Sequence, residues 1–366
     1  MDGQDAQSHA TRRDFPAINA EKETLIQFQK VYSSIKKVAN KNAKANICYI
    51  CGQQMQTACN SHTIPRYCLK EISDNGKLLT TVALMGTNIR DSEVGIGEAA
   101  VFKQVCRKCD SEFFKLYETP GVLFERPSSR VLGQIAAKNL LRGISTSRHS
   151  IEFKNALGAA ARELFEAEAA VKAIDLAEDE RAFRIALRVG RNEKECSAYK
   201  IIFHVVLPYV APIAFQQMIN PVADFEGGLI NNIFNQNSAY RIEPIHVCVL
   251  PSKGHTVVLM FRSEKAKRYR NFERQFSSLS QEQQLTAVIK LIFAYSEDVF
   301  LSKRIPKEAL EDEALSKLSR MNCDYIETHS HPAVLGRQAI QTALLDYAID
   351  SLPCPPNLLS SEYALV

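Results

Sequence analysis

Apolar residues at spacings of three and four mark the first element of the chain. Leu25, Phe28, Tyr32, Ile35 and Val38 line one face of an amphipathic helix between Glu21 and Asn42, with Lys22, Lys30, Lys36 and Lys37 on its solvated side. Residues 1–20 ahead of it are polar and lack periodicity, which predicts a flexible tail. Pro120 and Pro127 punctuate a linker, and Val131 to Leu141 then reads as a short helix. Ser150 is placed to cap a longer one, in which Leu157, Ala160, Leu164, Ala167, Val171 and Ile174 keep the three-four rhythm. That stripe packs either on the helix before it or on a second copy of the chain, so a homodimer is a candidate assembly. Between Arg181 and Gly190, Phe183, Ile185, Leu187 and Val189 alternate as a strand would, and the segment stays open between helix and strand.

Beyond Cys196 the pattern turns to β. Lys200 to Leu207 is apolar and β-branched, and Glu243 to Leu250 and Thr256 to Arg262 are two more such runs. Pro251, Ser252, Lys253 and Gly254 between the last two predict a hairpin. Ser280 with Gln283 forms a capping-box pattern ahead of the helical residues Leu285, Val288, Ile289, Ile292 and Val299. An acidic helix over Lys307 to Leu318 and another over Val334 to Ile349 complete the pattern. The fold class predicted is α+β, with central helices and a C-terminal antiparallel sheet with helices.

Composition narrows the functional classes. A chain of 366 residues, 46% hydrophobic and 23% charged, is globular and long enough for more than one domain. Its richest apolar run, Ile201 to Phe215, is broken by His204, Pro208 and Pro212, which argues against a membrane span. Asp2, Gln4, Asp5, Arg12 and Arg13 leave no apolar core for a signal peptide, so a cytoplasmic location is expected. In that compartment ten cysteines read as thiols or metal ligands. Met1 to Lys154 carries 22 Lys+Arg against 15 Asp+Glu, and the remainder 23 against 26. The basic half points to an anionic partner, nucleic acid first.

Chemistry concentrates between Ile47 and Phe114. The segment opens Cys48-Tyr49-Ile50-Cys51-Gly52 and closes Cys106-Arg107-Lys108-Cys109-Asp110. Two C-x2-C pairs supply four thiolates that can close on one structural Zn²⁺, and Gly52 lets the first knuckle turn with positive φ. The 54 residues between the pairs are long for a bare ribbon and predict structure of their own. Cys59 and His62 also form a C-x2-H pair, so either is a candidate zinc ligand; His62 is equally a candidate for hydrogen-bonding the knuckle. Cys68, among Tyr67 and Leu69, reads as a buried thiol.

With Ser61-His62-Thr63-Ile64-Pro65-Arg66 between the pairs, the segment resembles the HNH endonucleases with a zinc-bound treble-clef (ββα-metal) frame, over about a fifth of the chain. It also looks like a looser group of bacterial proteins with a Ser-His step and a final Cys-x2-His-Asp or Cys-x2-Cys-Asp, some of them in anti-phage systems. The resemblance implies metal-dependent phosphodiester hydrolysis, on DNA before RNA. It makes His62 the general base and assigns Asp110, with Ser61, to a catalytic Mg²⁺ or Mn²⁺. Arg66, Arg107 and Lys108 are near enough in sequence to clamp phosphates. Ser61 stands where the family has Asp or Glu and Asp110 where it has His, while Asn75 and Asn88 are candidates for its middle Asn. The alternative is a non-catalytic zinc-dependent protein that binds nucleic acid or a partner. The domains expected are residues 21–118 as helix plus zinc module, 119–195 as helical connector and 196–366 as an α+β unit of unknown role.

Other histidines are discounted. His329-Ser330-His331-Pro332 has no carboxylate or thiol partner at a clear spacing, and His204, His246 and His255 sit on or beside expected strands. Gly95-Ile96-Gly97 is too short for a phosphate loop, and no Walker, dinucleotide or G-x-S-x-G motif occurs.

Overall fold

The computed structural model describes residues 22–81, 92–157, 159–192, 194–232, 239–296, 298–329 and 345–365, with 235 and 237. Helix α1 (Lys22–Asn42) precedes a cysteine-bearing finger. The finger holds β1 (Ser61–His62), α2 (Arg66–Ile72), β2 (Lys77–Thr80), β3 (Glu93–Gly95), β4 (Val101–Phe102) and α3 (Arg107–Phe113). Two long helices follow, α4 (Ser129–Ala156) and α5 (Ala159–Arg191). Then come β5 (Tyr199–Leu207), β6 (Ile213–Ile219), β7 (Ile245–Ser252) and β8 (His255–Ser263). Helices α6 (Arg270–Ser278) and α7 (Gln281–Tyr295), β9 (Phe300–Leu301), α8 (Lys307–Leu310) and α9 (Glu313–His329) complete the α+β order. No helix among the described residues is long and apolar enough to cross a membrane.

Among the described residues, seven strands make one antiparallel sheet in the order β3-β2-β9-β6-β7-β8-β5. It is buried on both faces. Along β7, Ile245, Val247 and Val249 join a core with Phe272 and Phe276 of α6, Val288 and Ile292 of α7 and Leu315 and Leu318 of α9. The alternate residues Cys248 and Leu250 join a second core with Leu69 and Ile72 of α2 and Ile135 and Leu140 of α4. Two covered faces explain why these strands read as unbroken apolar runs instead of alternating ones.

The β7–β8 hairpin forms as expected, but its strands run on through Pro251 and Ser252 to a two-residue turn. Lys253 (φ 50°) and Gly254 (φ 77°) both take the left-handed conformation, the geometry of a type I′ turn. Strand β6 had no counterpart in the sequence reading, because Pro208 and Pro212 split an apolar run whose two halves never pair. β5 pairs with β8, and β6 with β7 and β9. The β2–β3 hairpin comes from inside the finger segment, yet it pairs with β9 through Leu79↔Leu301 and Thr80↔Phe300. The sheet therefore draws strands from both sides of the helical pair.

The helices correct three local readings. The Val131–Leu141 helix runs on to Ala156 and absorbs Ser150; its cap is Ser128, whose Oγ accepts the Val131 N–H. Residues 181–190 are helical within α5, because the buried positions are Phe183, Ala186 and Val189, three apart, while Ile185 is exposed. Lys307–Leu318 divides at Asp312, whose carboxylate accepts the Leu315 N–H at 2.9 Å and starts α9. The Ser280–Gln283 capping box of α7 is present as expected. Tail residues 1–20, Asn88, Ser330 and His331, the side chains from Ala160 to Val171 in the α5 stripe and most of Val334–Ile349 lie outside the described residues.

Helices α4 and α5 lie antiparallel and touch where Gly133 meets Gly190. A Cβ on Gly133 would sit 2.5 Å from the Gly190 amide nitrogen. Gly133→Ala is expected to wedge the pair apart at a cost of about 1–3 kcal/mol, seen as a lower urea midpoint. Acid sensitivity follows from His246, which stacks on Phe261 at 4.7 Å and is hydrogen-bonded by Asn139 Nδ2 at 3.2 Å. Burial pushes its pKa down to about 3. As pH falls below about 6.5 the unfolded chain takes up a proton that the folded imidazole refuses, so stability is lost progressively. His246→Leu is expected to flatten the fall in Tm between neutral and acid pH relative to wild type.

Candidate metal centre and its histidine

Two knuckles bring four sulfurs together. In the first, the Cys48 N–H donates to Gln53 O at 2.9 Å and the Gly52 N–H to Cys48 O at 2.8 Å, with Gly52 at φ 72° as the sequence requires. In the second, Cys106 caps α3: its sulfur accepts the Cys109 N–H at 3.5 Å, and the Asp110 N–H reaches Cys106 O at 3.0 Å. The Cys106 N–H donates in turn to Cys48 Sγ at 3.3 Å. The ligand atoms of Cys48, Cys51, Cys106 and Cys109 all lie within 4.8 Å of one another. A tetrahedral site with Zn–S bonds of about 2.3 Å sets its sulfurs roughly 3.8 Å apart, so small side-chain movements close this set on one Zn²⁺. Burial raises the Cys48 thiol, but N–H donors from Cys106, Cys51 and Ile50 outweigh it and lower its pKa, while burial and the neighbouring sulfurs raise that of Cys109.

The first knuckle is braced by the helical pair. Tyr49 donates its hydroxyl to Glu180 at 2.8 Å, Arg148 donates to the Tyr49 oxygen at 3.3 Å, and Arg191 donates to Ile50 O at 2.8 Å.

Ser61 and Asp110 do meet. The buried Ser61 hydroxyl donates to Asp110 Oδ1, and the half-buried Cys59 thiol lies 3.7 Å from Oδ2. Burial, and next the Asp110 charge, raise the Cys59 pKa and keep it a thiol. A residue the sequence reading did not single out completes the group. Lys138, from α4 and only 1% exposed, places its ammonium 3.6 Å from Asp110 Oδ1 and pairs with Glu118. The same ammonium lies over the Phe114 ring, 4.3 Å from its centroid, a cation–π contact. Burial pushes the Glu118 carboxyl up against the opposing pull of Lys138. The available signal was a lysine inside the apolar stretch Ile135 to Leu141, since a charge there has to be paired.

His62 follows Ser61 on β1, and successive side chains of a strand point to opposite faces. Its ring turns to the Gly95-Ile96-Gly97 segment, where Nε2 lies 3.1 Å from Ile96 O. A carbonyl only accepts, so Nε2 carries the proton and Nδ1 keeps its lone pair. Burial lowers the His62 pKa. The Ile96 bond opposes that, the Lys138 and Arg66 charges add to it, and Asp110 opposes it last. The imidazole is therefore neutral at physiological pH. Arg66 opens α2 beside it and is exposed. Asn75 sits in the exposed turn at residues 74–77, bonded to Asp74, and so takes no part here.

The Zn²⁺ expected of the four cysteines fits. A divalent Mg²⁺ or Mn²⁺ at Asp110 does not: such an ion needs several oxygen ligands, and this carboxylate is already committed to Ser61, Cys59 and an ammonium. No family model, no curated protein and no solved structure matches the chain.

Cys51→Ser and Cys109→Ser are each expected to lower zinc content, measured by elemental analysis, and to lower Tm. Cys196→Ser, at an exposed thiol outside the cluster, should change neither.

Proposed function

We propose that this chain is a zinc-dependent nucleic-acid-binding protein, whose treble-clef-like finger presents cationic side chains to phosphates without a divalent ion. The carrying observation is the inward pairing of Asp110 with Lys138. A carboxylate answered by a buried ammonium is withheld from Mg²⁺ and Mn²⁺. The finger's outward cations are free to meet an anion: Arg66 and Lys70 on α2, Arg107 and Lys108 on α3, and Lys115 after it are all exposed. Phosphate attraction of this kind is independent of base sequence and weakens with salt. The charge division along the chain, with its basic half containing the finger, supports the same reading.

A second reading, phosphodiester hydrolysis of the kind the HNH resemblance implies, has one observation in its favour. The neutral His62 imidazole, held by Ile96 with its Nδ1 lone pair available, is a group able to take a proton from water. Arg66, exposed and near enough for its charge to act on His62, would meet the phosphate that such a water attacks. No step of this reading is assigned to a divalent ion.

Labelled duplex DNA and RNA of one sequence, followed by anisotropy across a salt series, test the binding reading. Arg107→Gln combined with Lys108→Gln is expected to weaken binding and flatten log K against log salt by about 0.9 for each lost phosphate contact. Unchanged affinity in that variant counts against the finger as the docking face. Plasmid DNA should remain intact with Mg²⁺ or Mn²⁺ present. Nicking that His62→Ala removes, with zinc content unchanged, would move the assignment to hydrolysis.

A further inference from the structure

We infer that the Lys138 ammonium is the finger's own cation, permanently filling the place at Asp110 that the resemblance assigns to a divalent ion. The inference deepens the binding reading and rests on it only for its functional meaning. Its structural basis is separate. Nζ of Lys138 is enclosed by the Asp110 and Glu118 carboxylates on one side and by the Phe114 and Tyr117 rings, at 4.3 and 5.7 Å from their centroids, on the other. Its stem rises from α4, which is buried from Val131 to Leu141 between the finger and the sheet, and the lysine side chain is itself only 1% exposed. The oxygens facing it are those a hard cation would use: two carboxylates and, through Asp110 Oδ1, the Ser61 hydroxyl. The Ser61 hydroxyl, in the position where the resembled family carries an acid, adds no charge of its own. A single ammonium can then answer the two carboxylates, where a third acid at position 61 would call for a divalent ion.

The consequence is a finger whose inner carboxylates have their own counter-charge in every ionic condition. Lysine supplies it as a compact point charge tethered to a helix, which cannot be chelated or exchanged. Nucleic-acid docking by the finger should then depend on zinc and on monovalent salt, and not on Mg²⁺ or Mn²⁺.

The test titrates Mn²⁺ into zinc-loaded full-length protein and follows free Mn²⁺ by electron paramagnetic resonance, with Tm measured alongside. Wild type and Asp110→Asn should bind Mn²⁺ indistinguishably. Lys138→Met should gain Mn²⁺ binding at least tenfold tighter than wild type and a Tm that rises with Mn²⁺, and both gains should vanish in Lys138→Met combined with Asp110→Asn. A lysine that served packing alone would leave a folded Lys138→Met blind to Mn²⁺, and that result overturns the inference. Wild-type Mn²⁺ affinity that drops tenfold or more in Asp110→Asn overturns it as well. If Lys138→Met does not fold, the comparison of wild type with Asp110→Asn decides alone. Anisotropy with labelled DNA in the same samples separates the two ideas. Loss of the binding reading appears as no DNA affinity at any Mn²⁺ level, whereas loss of this inference appears as Asp110-dependent Mn²⁺ uptake.

Discussion

A charged ammonium with almost no access to water must be answered by carboxylates, and that requirement joins the parts of this molecule. Lys138 belongs to α4, Asp110 to the helix that starts at the second cysteine knuckle, and Glu118 to the segment between them. Leaving such a charge unpaired costs about 3–5 kcal/mol, so finger and helix are obliged to stay in register. The next residue on α4, Asn139, reaches the other way, to His246 and Gln216 on the sheet. One turn of helix thus fixes the finger on one side and the seven-stranded sheet on the other.

The cysteine quartet and the buried ion pair divide the labour of holding the finger. Among the described residues between the two cysteine pairs the elements are short, the two-residue ribbon of β1 with β4, the helix α2 and the strands β2 and β3, which alone bury too little to be stable. Four sulfurs drawn within 4.8 Å close that long loop at its ends. Its middle is held differently, by the β2–β3 hairpin that continues the large sheet beyond β9. His62 lies between these anchors, oriented by a backbone carbonyl and half-buried, and that burial favours its neutral form.

Much of the local architecture was legible. Cys48, Cys51, Cys106 and Cys109 converge as their spacing requires, Gly52 takes the positive φ its place demands, and Ser280 with Gln283 caps α7. Ser61 and Asp110 also come together. What misled was pattern without context. Phe183 to Val189 alternates in sequence although every third residue is buried, and Ser150 is an ordinary residue inside a helix that had no reason to stop. The group that decides what Asp110 can do, Lys138, lies 28 residues further on and carries no motif.

The amino-acid sequence by itself determined the knuckles, the Ser280–Gln283 cap, the β7–β8 turn and the mixed α+β class, because each depends on residues within a few positions of one another. Only the tertiary structure decided that β2 joins β9 across more than two hundred residues, that Ile96 O orients His62, and that a lysine meets Asp110. Those contacts depend on which surfaces are buried against each other. Burial also favours the neutral form of His62 and brings the Lys138 ammonium to Asp110, and no short stretch of sequence contains that information.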